Sequence, residues 1–163
     1  MSYPISEKQV GITERLGEET VKLIYDIVRV FEPIGVELDT PGKVVSLFRA
    51  YQEKGIIPRE REAVVGFYMT ARNSLVSMHI ISIGTSRGSP CSPLEVFRPA
   101  IVEATPVVVV AHNHPSGDCK PSLEDRTVTE RLLEASRILG IDLLDHLVIG
   151  TKDYSAIISD GLL

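Results

Sequence analysis

The chain has 163 residues, enough for one full hydrophobic core and little more. Hydrophobic residues make up 44% and charged residues 24%, a balance that disfavours disordered and fibrous classes. The net charge is −5 and the basic residues are scattered, with only Arg59-Glu60-Arg61 as a small cluster, so strong direct nucleic-acid binding is not expected.

The longest apolar run, Val107-Val108-Val109-Val110-Ala111, is far short of the roughly 20 residues that span a bilayer. The first residues show no basic segment followed by an apolar one, so no secretory signal or membrane partner is expected and a cytoplasmic location is the default. The two cysteines, Cys91 and Cys119, form no Cys-x-x-Cys pair, which excludes a cysteine-based structural zinc site and leaves two reduced thiols.

Residues 1–17 are polar and irregular. From Glu18 to Phe31, the positions Val21, Ile24, Ile27, Val28 and Phe31 repeat at helical spacing, and Glu32-Pro33-Ile34-Gly35 stops that helix. A second helix is predicted to start with Thr40 as N-cap and Pro41 at the first helical position, where a missing N–H costs nothing. Its stripe is Val44, Val45, Leu47, Phe48 and Tyr51, and Gly55 closes it. These two helices make residues 1–57 a helical extension, an appendage or homodimerisation element, ahead of a catalytic domain over 58–163.

Ala63 to Met69 reads as a buried strand, Ala71 to Ser74 as a turn, and Leu75 to Ile83 as the antiparallel partner. A loop rich in Ser, Gly and Pro follows to Pro93, then a helix over Leu94 to Ala104. Pro106 to Ala111 is predicted as a central strand buried on both faces, and Asn113 to Asp118 as a loop. A helix from Leu123 to Leu139 is stopped by Gly140, and two strands close the chain at His146 to Ile149 and Tyr154 to Ile158. The class is α/β: a mixed sheet with helices packed on it.

The chemistry concentrates between Ala111 and Asp125. In extended chain His112 and His114 project to one side at the end of the central strand, where open α/β sheets place their sites. Two imidazoles on one side supply two corners of a zinc tetrahedron. The Pro115-Ser116-Gly117-Asp118 turn lets the helix start Ser122-Leu123-Glu124-Asp125 return a carboxylate as a third ligand, with a fourth position left for water. Each part also has a plain reading. A lone His-x-His is usually loop surface, and Ser122 with Asp125 is a good helix start by itself, a cap and an acid facing the positive end of the dipole. The conjunction carries the signal.

His112-x-His114, seven residues to Ser122 and two more to Asp125 resemble the JAMM (MPN-plus) metalloprotease signature. His112-Asn113-His114-Pro115-Ser116-Gly117-Asp118, Leu144 to Gly150, Ile83-Gly84-Thr85 and Pro93 to Phe97 resemble the RadC-like branch more narrowly, over about Asp39 to the C-terminus. The helix-hairpin-helix segment that precedes the catalytic domain in RadC proteins finds no match in the first residues, which weakens a DNA-directed reading of this DNA-repair-named family. The resemblance implies a cytidine deaminase-like fold with helices on both faces of the sheet. It implies Zn²⁺ held by His112, His114 and Asp125, Ser122 stabilising the reaction intermediate, and an upstream glutamate as general base. The resemblance puts that glutamate at Glu62, whereas strand parity cannot separate Glu62 from Glu60. The implied reaction is hydrolysis of an amide or isopeptide bond in a peptide or protein conjugate. The same resemblance implies a structural role for Asp145 and His146, and proline is expected where Cys119 stands. His79 reads as a surface or satisfied core histidine.

Two rival enzymes fall on spacing. In HNH nucleases the named residues are dispersed through a ββα finger, so the adjacent letters at 112–114 are coincidental. A zinc deaminase wants His-x-Glu followed by Pro-Cys-x-x-Cys, and Pro90-Cys91 has no second cysteine. A catalytically silent RadC-like interaction module is the remaining alternative.

Overall fold

The computed structural model describes residues 28–30, 35–84 and 91–163. In chain order these form β1 (Val28–Val30), α1 (Pro41–Glu53), β2 (Ala63–Met69), β3 (Leu75–Ile83), α2 (Pro93–Glu103), β4 (Val107–Asn113), α3 (Leu123–Leu139), β5 (Asp142–Ile149) and β6 (Tyr154–Ala156). The six strands make one mixed sheet in the order β1-β3-β2-β4-β5-β6. Only β4 and β5 run parallel, joined by α3 as crossover.

The sheet is covered on both faces. Val65, Phe67, Met69, Val107, Val109 and Ala111 pack against Val44, Val45, Phe48 and Tyr51 of α1. The alternate residues Val64, Tyr68, Val108 and Val110 pack against Val96, Phe97 and Ala100 of α2 and Leu132 of α3. β2 and β4 are buried along their whole lengths, which is why they read as continuous apolar runs rather than alternating ones. Residues 41–57, set apart from the sequence as extension, share the first of these clusters with the sheet through α1 and Ile57.

Several local expectations are corrected, among them β5, which starts at Asp142 rather than His146, and β6, which ends at Ala156 rather than Ile158. Val28–Val30, taken as the end of a helix, is an edge strand paired with Met78 to Ile80 of β3. β-branched residues satisfy either spacing over three positions, and a free sheet edge supplies the hydrogen bonds that settle it. The rest of that expected helix lies outside the described residues. β4 also runs on through His112 and Asn113, two residues beyond the expected end. At α1 the N-cap is Thr40 as expected, but its side chain makes no capping bond; Pro41 presets the first turn. Among the described residues no helix is long and apolar enough to cross a membrane.

Candidate metal centre

β4 and β5 end together, with His112 opposite Val148 and Asn113 opposite Ile149. On its other side His112 stands opposite Val64 of β2, so its side chain emerges on the α2/α3 face. It is 1% exposed. His114 follows in the turn, its N–H donating to the Ile149 carbonyl (3.1 Å). Gly117 takes φ +83°, which L side chains rarely adopt, and lets the chain fold back toward α3.

At the start of α3, Ser122 and Asp125 form a reciprocal capping box. The Asp125 N–H donates to Ser122 Oγ (3.1 Å), and the Ser122 N–H and hydroxyl both donate to Asp125 Oδ2 (2.7 Å each). This fixes the carboxylate against the histidines. His112 Nε2 lies 3.2 Å from Asp125 Oδ1, His114 Nε2 lies 3.4 Å from Asp125 Oδ2, and the two Nε2 atoms are 3.1 Å apart.

These separations fit a metal ion. Donors at the corners of a tetrahedron with bonds of about 2.0–2.1 Å stand roughly 3.3–3.4 Å apart. His112, His114 and Asp125 can each turn one donor into a common space, all within 4.8 Å of one another, and they are the one such group among the described residues. Two imidazoles and one carboxylate are also the donor number of catalytic zinc sites, since structural sites use four protein ligands.

The electrostatics agree. Burial alone would raise the Asp125 carboxyl, but the bonds from His112 and His114 override it and hold it well below the usual carboxylate range. The bond to Asp125 raises His114 against the opposing effect of burial, with the Asp118 carbonyl and the Glu62 charge adding to it. The cluster is built around an anion facing two imidazoles, an arrangement that favours a cation at its centre.

Glu62 sits just before β2, half-buried, on the strand parity of Val64 and therefore of His112. Its charge acts on His114 and on Cys91. Its backbone is pinned by the Gly84 N–H donating to the Glu62 carbonyl (2.7 Å). Asn113, on the opposite face from the histidines, also holds this segment: its Oδ1 accepts from the Ala63 N–H (3.0 Å) and its Nδ2 donates to the Arg61 carbonyl (3.1 Å). Those two bonds bracket Glu62. Glu60 lies exposed in the preceding turn.

Asn113 escaped sequence reasoning, although a buried amide inside a histidine motif was a signal for it. Asp145 has a structural hydrogen-bonding role as expected, but inside β5 rather than at a strand entrance: its Oδ1 accepts from the N–H groups of His146 (2.8 Å) and Ile158 (3.0 Å), and Ser159 donates to Oδ2. His146 instead stands behind His112, its Nε2 2.9 Å from His112 Nδ1. Burial, then the His112 charge, pushes it down to about 3. His79 is a core histidine with Nε2 on Glu103 (3.0 Å), and its Nδ1 has no partner among the described residues. Cys91 is pushed up to about 12 by burial and then by Glu95, Glu62 and Asp125, so it stays a protonated thiol. Neither cysteine joins the metal cluster.

A family model described as a RadC-like JAB domain matches residues 38–162. A UPF0758 protein of Methanosarcina mazei is 40% identical over 103 residues, which is 63% of this chain and 45% of that protein. One from Symbiobacterium thermophilum is 45% identical over 95 residues, 58% of this chain and 41% of its own length. A third, from Staphylococcus carnosus, is 37% identical over 127 residues, 77% of this chain and 56% of its own. The chain spans about half the length of the curated relatives it matches.

Proposed function

Because the chain belongs to the RadC-like JAB domain family, of the JAMM kind, we propose that it is a zinc-dependent hydrolase of amide or isopeptide bonds. The observation that carries this reading is the convergence of His112 Nε2, His114 Nε2 and the Asp125 carboxylate at separations matched to one ion. Three protein donors without a thiolate suit zinc in a catalytic rather than a structural role. The substrate class is a peptide or a protein conjugate.

A bound zinc ion supplies Lewis acidity, lowering the pKa of water and polarising a carbonyl. The rest falls to the chain. Glu62 accepts a proton from the attacking water and returns it to the leaving amine, which expels a neutral product. Asn113 and the Gly84 N–H keep the Glu62 backbone from drifting away. Ser122 turns its hydroxyl from Asp125 Oδ2 toward the substrate carbonyl oxygen as negative charge develops there. Asp125 keeps the Ser122 backbone N–H through that exchange, so the helix start stays capped.

The test is Glu62→Gln, which keeps shape and removes proton acceptance. On a panel of peptide and isopeptide substrates it should lose at least roughly 10²-fold in rate while retaining zinc. Glu60→Gln should behave as wild type. Undiminished hydrolysis by Glu62→Gln would remove the general-base assignment. Stoichiometric zinc without hydrolysis of any panel member by wild type would favour a silent interaction module.

A further inference from the structure

Both metal-facing histidines point their Nε2 atoms into the cluster, and each must therefore carry its proton on Nδ1 when a metal is held. For His114 the reason is local. Its Nδ1 lies 3.0 Å from the Asp118 carbonyl, which can only accept, so Nδ1 holds the hydrogen. His112 has no carbonyl there. Its Nδ1 faces His146 Nε2 at 2.9 Å, and a ring nitrogen can be donor or acceptor.

The next two bonds remove the ambiguity. Thr129 Oγ1 lies 2.6 Å from the Asp125 carbonyl, and its single hydroxyl hydrogen must go there. The 2.7 Å contact between Thr129 Oγ1 and His146 Nδ1 then requires His146 to donate from Nδ1. A doubly protonated ring is disfavoured, since His146 is 3% exposed and, among the described residues, its ring nitrogens bond His112 and Thr129 and no carboxylate. Its Nε2 is consequently a lone pair, and His112 Nδ1 must donate to it.

We propose that His146 and Thr129 are positioning residues for the metal centre, fixing the His112 tautomer so that the Nε2 lone pair faces His114 and Asp125. The relay starts at one ligand, His112, and ends on the backbone carbonyl of another, Asp125. It joins β4, β5 and α3 at the site, so the orientation of one ligand depends on the placement of the other. Hydrogen-bonded partners of this kind set ring orientation and raise ligand basicity. The inference rests on reading His112, His114 and Asp125 as a metal centre.

The test uses the full chain. Histidine nitrogens of ¹⁵N-labelled protein, correlated with their ring carbon-bound protons by NMR, report each tautomer directly. His146 should be protonated at Nδ1, the minority form of a free neutral imidazole, with or without zinc. Thr129→Val keeps the branched shape and removes the hydroxyl. In competition with a chromophoric chelator it should bind zinc roughly 10- to 100-fold more weakly, with Thr129→Ser restoring wild-type affinity. Protonation of His146 at Nε2 in wild type would overturn the proposal, as would unchanged zinc affinity in a folded Thr129→Val. Absence of zinc binding by wild type would instead sink the metal-centre reading, and the tautomer measurement would still decide the relay.

Discussion

His112 is buried in a strand, bonded through Nδ1 to His146, and aims Nε2 at Asp125; His114 stands in a turn and is held by a backbone carbonyl. Residues two apart thus reach the same point by different supports. Ser122 caps α3, and in the proposed reaction it has a second, separable duty as hydrogen-bond donor to the reacting oxygen. Ser122→Ala should lower the unfolding free energy by about 1 kcal/mol through the lost cap. Hydrolysis should fall much further, by roughly 10²-fold, if the hydroxyl stabilises developing charge. Urea midpoints and rates on one preparation separate the duties, and Ser122→Asp should recover the midpoint alone. Equal rates for wild type and Ser122→Ala would leave only the cap. At this scale the cluster of His112, His114 and Asp125 was legible because the motif on which the family resemblance rests is local in sequence. The roles of Asn113 and His146 were not, because Asn113 acts on residues 58–63 and His146 on His112, neighbours only once the strands pair.

The site depends on β4, the turn after it, and α3, together with the loop leaving β5. Gly150 is where the two loops meet backbone to backbone: a Cβ there would stand 2.5 Å from the Gly117 carbonyl and 3.0 Å from the Cys119 N–H. Thr151 N–H also donates to that Gly117 carbonyl (3.0 Å). Gly150→Ala must therefore displace the turn that carries Asp118, the partner of His114. The expected cost is about 1–3 kcal/mol of stability, with weaker zinc retention. Gly42→Ala, in the first turn of α1 with only ordinary contact, should be neutral or stabilising by up to about 1 kcal/mol. Thermal unfolding of both variants checks this, and equal melting temperatures would refute the tight seam. The limits of β2 and α3 were readable because one is a near-continuous apolar run and the other has a cap and a glycine stop, and those of β3 because the Ala71–Ser74 turn and Gly84 bracket it. The edge strand Val28–Val30 was not, because its partner in β3 lies about fifty residues away and three residues carry too little periodicity.

Across the whole molecule, one sheet separates two apolar layers, and the candidate metal centre occupies the end of β4 where the α2/α3 layer opens. α1 closes the opposite layer, so the residues that support β4 from behind belong to the same folded unit as the site. The mixed sheet with helices packed on it was legible from the order of apolar runs, and their place on both faces from the family resemblance, whereas the incorporation of α1 into its core was not, since helix stripes do not name the surface they cover. The relatives are about twice as long as the segment they share with this chain, so the catalytic proposal concerns the shared unit. Its central claim is that His112, His114 and Asp125 together hold a single zinc ion. The most direct measurement is elemental analysis of protein purified without chelators, wild type beside the folded double variant His112→Ala/His114→Ala. Wild type should carry about one zinc per chain and the double variant almost none. Equal zinc in the two, or a metal-free wild type that cannot be reloaded, would contradict it.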